Sequence, residues 1–417
     1  MAHVKDLWFK SVNTPGGKPQ RVPTKRNGKG KRWLAVWIDL DGRQQTKAFA
    51  KKTDAERHLN LMEADKARGN YIDPNGAKTI LSVLAKTWLE SHTADPSTRT
   101  IYEGYWRVHI APRFGGREIG AIRPSDIRAW LKQLERKLAP STAGRVLALL
   151  DQLLGSAVED GLISKNPCAA KTVKAPELPK RKIRPWPRER VLAVRDALPE
   201  RYRILATLGA GCGLRQGEIF GLAVDDVDVA EGVVHVRQQV KQIRGRLIFG
   251  LPKHDYERDI PLPASVAAAV EEHLELFPAR EVTLPWEEVD GEPRTFRLIL
   301  TSRESKPLNR NYINEYVWKR TLERLGIIPK VRPKMKETGR RDQSVREYGM
   351  HALRHYYASV LLDAGESIKA LAEYLGHQDP GFTLRTYTHL LPGSVGRTRK
   401  AIDEAFGAED LGEETEE

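Results

Sequence analysis

An arginine, three histidines and a tyrosine near the end of this chain form a set that could act on a phosphodiester. Residues 351–387 include His351-Ala-Leu-Arg354-His-Tyr-Tyr, then Leu375-Gly-His377, then Thr386-Tyr387, with Thr-His389 following. A phenol with a pKa of about 10 is a poor nucleophile at neutral pH. Guanidinium and imidazole groups aimed at a phosphodiester would neutralise the charge that develops as the new oxygen–phosphorus bond forms. These residue types in this order point to covalent catalysis on a polynucleotide, with DNA as the expected substrate.

The elements that must position them can be read locally. On a helix His351 and Arg354 lie three positions apart and share a face. Leu353, Tyr357, Val360 and Leu361 fall on another, so the apolar side is expected to pack and the polar side to face a cleft. Ile368, Leu371 and Leu375 predict a further helix that Gly376 can end in the left-handed conformation, setting His377 just past its C-terminus. Asp379-Pro-Gly381 forces a break, and a short helix from Thr383 then presents Tyr387. Upstream, the chain breaks at Gly211-Cys-Gly213 and resumes as a helix at Leu214-Arg215-Gln-Gly-Glu218. Short strands are expected at Val233-Val-His-Val-Arg237, Arg246-Leu-Ile-Phe249 and Arg258-Asp-Ile-Pro-Leu262, with Lys253 between the second and third. The mixed-charge stretch 277–297 reads as a surface insertion and 330–346 as a strongly basic loop. A helical domain with a small antiparallel sheet inserted results.

Each residue alone has an ordinary explanation. Arg215 could simply pair with Glu218 along a helix, Lys253 could be an exposed loop lysine, and His351 or His377 a core or capping histidine. Tyr387 could be a packing residue, and His355 and His389 stay closest to that reading. Five ordered groups explained independently in this way are improbable together, so the catalytic reading is preferred.

Composition agrees with a polyanionic partner. The 417 residues carry 69 Lys+Arg against 55 Asp+Glu, a net charge of +14. Up to Ile72 there are 16 basic residues against seven acidic ones, whereas 401–417 holds eight acids and no base. The two cysteines, Cys168 and Cys212, form no C-x-x-C pair, which argues against a disulfide framework or a cysteine zinc site and fits a reduced, cytoplasmic setting. The N-terminus lacks the apolar core of a signal peptide, and no run of about 18 apolar residues suggests membrane insertion.

Before the last domain the patterns change twice. Residues 1–27 read as a basic arm without apolar period. Arg32-Trp-Leu-Ala-Val-Trp-Ile-Asp39 and Gln45-Thr-Lys-Ala-Phe-Ala50 then flank Asp41-Gly42 as a hairpin, and Thr53 with Glu56 predicts the capping box of a helix carrying Ala55, Leu59 and Met62. From 78 to 172 the pattern is helical, with Ser97, Pro124 and Ser141 marking helix starts and Tyr102, Tyr105, Trp106 and Trp130 as core aromatics. Residues 173–187 form a Pro-rich cationic linker that includes Lys180, Arg181, Lys182 and Arg184. The expected organisation is 1–73, 78–172, the linker 173–187, a catalytic domain 188–406 and an acidic disordered tail 407–417. The fold class is multidomain α+β, mainly helical with small antiparallel sheets.

The final domain resembles the tyrosine recombinase (phage integrase) family. The matching boxes are Gly213-Leu-Arg215-x-x-Glu218; Lys253 ahead of Arg258-Asp-Ile260-Pro-Leu262; His351-x-Leu-Arg354-His355; Leu375-Gly-His377; and Thr383-x-x-Thr386-Tyr387-x-His389. Ala352 stands where many members carry a small polar or acidic residue. The resemblance implies that Tyr387 attacks the scissile phosphate to give a 3′-phosphotyrosine and a free 5′-hydroxyl. It implies that Arg215 and Arg354 clamp the non-bridging oxygens and that Lys253 protonates the leaving 5′-oxygen. His351 would be the acid/base and His377 a phosphate hydrogen-bond donor, with neither metal nor cofactor required.

For the front of the chain the resemblance implies an arm-type DNA-binding module, with Lys25, Arg26, Lys29, Lys31 and Arg32 as candidate phosphate contacts, followed by a core-binding helical domain. The expected partners are double-stranded DNA at core-type and arm-type attachment sites, a homotetramer on DNA, and an excisionase or DNA-bending accessory protein. Leu390, Leu391, Val395, Ile402 and Phe406 would pack on a neighbouring subunit. The function expected is site-specific integration or excision of a phage or mobile element. The competing readings are a type IB topoisomerase-like relaxing enzyme and a non-catalytic DNA-binding regulator.

Overall fold

The computed structural model describes residues 2–12, 20–39, 42–67, 76–178, 183–330 and 347–387, together with Arg399 and Ile402. It divides into two compact units, Met1–Thr93 with Ile101–Glu177 and Ala94–Thr100 with Leu178–Glu417.

In the first unit, strands β1 (His3–Asp6), β4 (Trp33–Ile38) and β5 (Gln44–Phe49) form an antiparallel sheet with β4 central, while β2 (Phe9–Val12) and β3 (Gln20–Pro23) pair as a separate ribbon. Strand β4 alternates, so Ala35 and Trp37 point to one face, where Ala55 and Leu59 of the helix Lys52–Ala67 cover them. The hairpin and its helix are as expected. The region before residue 27 is not the patternless arm that was expected: three of its segments pair as strands. Their short, mostly polar sequences hide the period, and pairing is supported instead by Asp6, which takes hydrogen bonds from Arg32 and from the backbone of Trp8 and Phe9. The helix begins at Lys52, one residue before Thr53, and Glu56 pairs with Lys52 at 3.1 Å instead of completing a box with Thr53.

The same unit holds a helical bundle. Leu81–Ser91, Pro124–Lys137 and Pro140–Glu159 turn Leu84, Ile127, Leu131, Leu150 and Leu153 into a common core. Pro96–Tyr105 runs on into a wide-turned stretch, Trp106–Gly115, where Pro112 lacks the amide that a regular turn would use. Asp95, not Ser97, caps this helix, its carboxylate accepting from the Ser97 amide at 2.8 Å. Ser141 likewise lies one residue inside a helix that Pro140 opens.

The second unit is built on the helices Arg188–Ala197, Glu200–Gly211, Ala264–Leu276 and His351–Asp363 around one apolar core. Strands β6 (Val227–Asp228), β7 (Val233–Val236) and β10 (Arg258–Pro261) form a sheet in the order β10-β7-β6. Two further ribbons join β8 (Gln239–Ile243) to β9 (Arg246–Gly250) and β11 (Arg280–Pro285) to β12 (Pro293–Leu298). The stretch 277–297 is therefore more than a surface insertion. Val282 and Leu298 are buried, and Phe296 meets Phe249 of β9 edge-on, with ring centroids 4.9 Å apart. Strand β8 escaped sequence reading because Gln239, Lys241 and Gln242 mask its few apolar residues.

Candidate active site

The site is assembled at three chain breaks. Gly213 has φ +63°, and a Cβ there would sit 2.5 Å from the Tyr357 ring, so only glycine makes this turn. The turn ends the preceding helix and starts the short helix Gln216–Gly221, so that Arg215 is its N-cap, two residues later than a helix resuming at Leu214 would have it. The Arg215 amide donates to Glu218 Oε2 at 2.8 Å, and its Nη1 donates to Glu218 Oε1 at 2.8 Å. The ordinary ion-pair reading of Arg215 is thus correct, but only half the account. Its Nη2 reaches across to the carbonyls of Leu375 and Gly376, at 3.0 and 2.9 Å.

Those carbonyls belong to the second break. The helix Ile368–Leu375 is capped at its start by Ser367 and ends at Gly376 in the left-handed conformation, as the Leu-Gly-His spacing predicts. Gly376 also leaves room for Arg258, since a Cβ would come within 3.1 Å of that guanidinium. The third break precedes Pro380–Tyr387, whose Thr383 and Tyr387 are buried.

Arg354, on the helix His351–Asp363, is 1% exposed. Its Nη1 donates to Gly213 O at 2.7 Å, and its Nη2 donates to Leu375 O and approaches His377 Nε2 at 3.3 Å. The buried Nε has no hydrogen-bond partner among the described residues. The expected split of this helix into an apolar and a polar face does not hold, because Arg354 is buried as deeply as Leu353 while Val360 is 45% exposed. Burial, then the neighbouring Arg215 cation, lowers the Arg354 pKa to about 9, which leaves it charged at neutral pH.

Two buried guanidiniums, Arg258 and Arg354, and the half-buried Arg215 need an anion, and Glu218 supplies it. Arg258 grips both its oxygens, Nη1 to Oε1 at 3.0 Å and Nη2 to Oε2 at 2.7 Å, and donates from Nε to Tyr374 O at 2.7 Å. Burial alone would raise the Glu218 pKa, but Arg258 first and Arg215 and Arg354 after it bring it down to about 2. Neither Glu218 nor Arg258 was singled out for a role by sequence reasoning. The signal was present in β10, where alternation puts Arg258 on the same buried side as Ile260, and a buried guanidinium requires a partner.

The imidazoles differ. His377 Nδ1 lies 2.7 Å from Thr383 Oγ1, and since Arg354 can only donate, Nε2 must be the accepting nitrogen of a neutral ring. Burial and then Arg354 and Arg215 hold its pKa down to about 3. His355 Nδ1 lies 2.7 Å from Tyr387 Oη. Burial and Arg354 lower its pKa to about 4. His351 packs edge-on against His355 at 4.6 Å between centroids. Its outer side meets solvent, yet desolvation and then the charges of His355 and Arg354 keep its pKa below the usual range. Tyr387 is 1% exposed, and burial pushes its phenol up to about 12 against the pull of Arg354 and Arg215.

Arg215, Arg354, His377 and Tyr387 are therefore brought together, with His351 at the margin through His355. Lys253 is not: it lies exposed in the turn Lys253–Asp255, in which His254 and Asp255 have φ of +67° and +54°. Of the candidate DNA contacts, Lys25, Arg26, Lys29 and Lys31 are exposed after β3, Arg32 is held by Asp6 at 3.0 Å, and Arg184 is exposed. Lys180, Arg181, Lys182, His389 and the apolar positions beyond Tyr387, apart from exposed Ile402, lie outside the described residues.

The fold and the boxes have relatives. Residues 188–393 match the phage integrase family, and residues 81–173 match the phage integrase central domain. The chain belongs to the phage integrase family of tyrosine recombinases. A tyrosine recombinase XerC-like protein of Caldanaerobacter subterraneus is 26% identical over 403 residues, 91% of this chain and 98% of that one. The structure of the Tn1549 transposon integrase with a circular intermediate DNA is similar at a TM-score of 0.62 and 20% identity, covering 78% of this chain and 99% of that one. A lambda integrase tetramer bound to a Holliday junction is similar at 0.54 and 16% identity, over 83% and 94%. This recombinase is accordingly an enzyme of DNA strand breakage and rejoining. No described helix of it is long and apolar enough to cross a membrane.

Proposed function

We propose that the recombinase is a site-specific integrase in which Tyr387 attacks the scissile phosphate, leaving a 3′-phosphotyrosine and a free 5′-hydroxyl. The observation that supports this most is the Leu375 carbonyl, which accepts from both Arg215 and Arg354. Two guanidinium forks aimed at one oxygen are spaced to share a phosphate, and Tyr387 lies beside them. Arg215 and Arg354 hold the non-bridging oxygens, and His377, oriented by Thr383, meets the same group. Exposed Lys253 serves as the acid for the leaving 5′-oxygen, carried in by its loop when DNA binds. The test is covalent capture on a library of nicked duplexes, which also recovers the target sequence; no Tyr387-dependent adduct with any duplex would refute the reading.

Arg354→Lys keeps the charge but not the fork. We expect adduct formation to fall by about 10²–10³-fold, the scale of losing one buried donor to the developing charge, measured as single-turnover cleavage.

We further propose that the four exposed lysines and arginines after β3 contact phosphate at a second, arm-type site, that Arg184 and the linker follow the core-site backbone, and that a homotetramer assembles on the two DNA partners. The enzyme would work in the bacterial cytoplasm on the nucleoid, with an excisionase or DNA-bending protein as the accessory partner to seek. Deleting residues 1–73 should leave cleavage of a core duplex within about twofold and abolish strand transfer between two sites, because tethering a second segment raises its effective concentration. A two-plasmid integration assay decides it, and full integration by the truncated chain would sink the arm assignment.

A further inference from the structure

We propose that His355 is the base that takes the phenol proton from Tyr387, a role for which the family resemblance pointed to His351. The inference rests on the assignment of Tyr387 as nucleophile. A general base must lie within hydrogen-bond reach of the proton it removes, about 2.6–3.2 Å between heavy atoms. His355 Nδ1 meets that condition at 2.7 Å from Tyr387 Oη. His351 has its ring against His355, centroid to centroid 4.6 Å.

The environment leaves the nitrogen free to accept. The titratable and charged groups facing His355 are His351 and Arg354 on its own helix, His377 after the preceding Gly376 turn, and Tyr387 on the last helix. Burial and then Arg354 disfavour a positive charge there, so the ring is neutral before the reaction, and in the tautomer protonated at Nε2 it is Nδ1 that accepts from the phenol. As the attack proceeds, the Oη–H bond breaks and the proton moves to Nδ1, Oη bonds to phosphorus, and the bond from phosphorus to the 5′-oxygen breaks. That oxygen leaves with a proton from the separate acid. Rejoining reverses each transfer, with the imidazolium of His355 returning its proton to Oη, so the ring ends neutral. His351, half in solvent, is placed beside the charged intermediate without touching the reacting oxygen.

Single-turnover cleavage of the nicked duplex recovered by library capture tests this, using the full-length wild type, His355→Ala, His355→Asn and Lys253→Ala. Asparagine can still accept the phenol's hydrogen bond but cannot take its proton. Both His355 variants should bind the duplex as the wild type does and cleave about 10²–10⁴-fold more slowly at pH 7. Their rates should climb with pH between 7 and 9, where the wild type is flat, because hydroxide must then remove the proton. A duplex with sulfur in place of the bridging 5′-oxygen, whose leaving group needs no acid, should rescue Lys253→Ala and neither His355 variant. Cleavage by His355→Ala within threefold of the wild type, recovery by His355→Asn, or rescue of the His355 variants by the sulfur substrate would each overturn the proposal. Failure of the wild type itself to form an adduct would bring down the nucleophile assignment instead, and this step with it.

Discussion

Tyr387→Phe should bind its duplex with unchanged affinity and form no covalent adduct, a loss on the order of 10⁴-fold or more, as when a covalent nucleophile is deleted. The ring fills the same buried volume, so the last helix keeps its packing against the core. Only the hydroxyl and its hydrogen bond to His355 go, worth about 0.5–1.5 kcal/mol of stability. Gel shift and adduct formation on the same nicked duplex provide the two readings. Cleavage near the wild-type rate would mean that another tyrosine attacks, with Tyr374 the nearest rival in sequence. That residue already has its carbonyl engaged by Arg258 and its ring partly packed on the core.

Glu218→Ala should be the most destabilising single change in the catalytic unit. Removing one partner of a buried ion pair strands the others, at about 3–5 kcal/mol. Here Arg258 would lose both its buried carboxylate contacts and the half-buried Arg215 its own. Denaturant titration measures the loss, and a change below about 1 kcal/mol would show that water can replace the carboxylate. The pH dependence has a definite sign. Glu218 has a folded pKa of about 2, below the ordinary 4.5, so its stabilisation is fully present above the ordinary value and disappears as pH falls through about 2. Between pH 5 and 2 the wild type should lose stability more steeply than Glu218→Ala, and equal slopes would count against the ion-pair account.

Much of the site was legible because its residues sit at chain punctuation. Gly213, Gly376 and Asp379-Pro-Gly381 announce their own breaks, and the residues that follow them are the ones the fold brings together. The α+β class was equally visible from helical periods around short alternating strands. What could not be read was depth and direction. Arg354 shares a helix face with His351 by spacing, yet one is buried and the other meets solvent, because burial is decided by helices distant in sequence. His355 looked like a packing residue until the last helix placed Tyr387 against it. Strands β1, β2, β3 and β8 were hidden by polar side chains whose pairing depends on partners elsewhere in the chain.

The carboxylate at Glu218 has a consequence for anyone building hybrid recombinases. It ties the Arg215 turn, the first residue of β10 and the turn at Leu375-Gly376 into one unit, because the two arginines it holds also donate to the carbonyls of Gly376 and Tyr374. A hybrid joined near Arg188 inherits all of these from one parent. A junction between residues 219 and 257 takes the anion from one parent and Arg258 from the other, and one between 259 and 373 parts the arginines from the carbonyls of residues 374–376. Matched residue identities at such a seam would not guarantee matched backbone positions, so the safe exchange point lies ahead of the catalytic unit, where target choice can be traded while the chemistry is passed on whole.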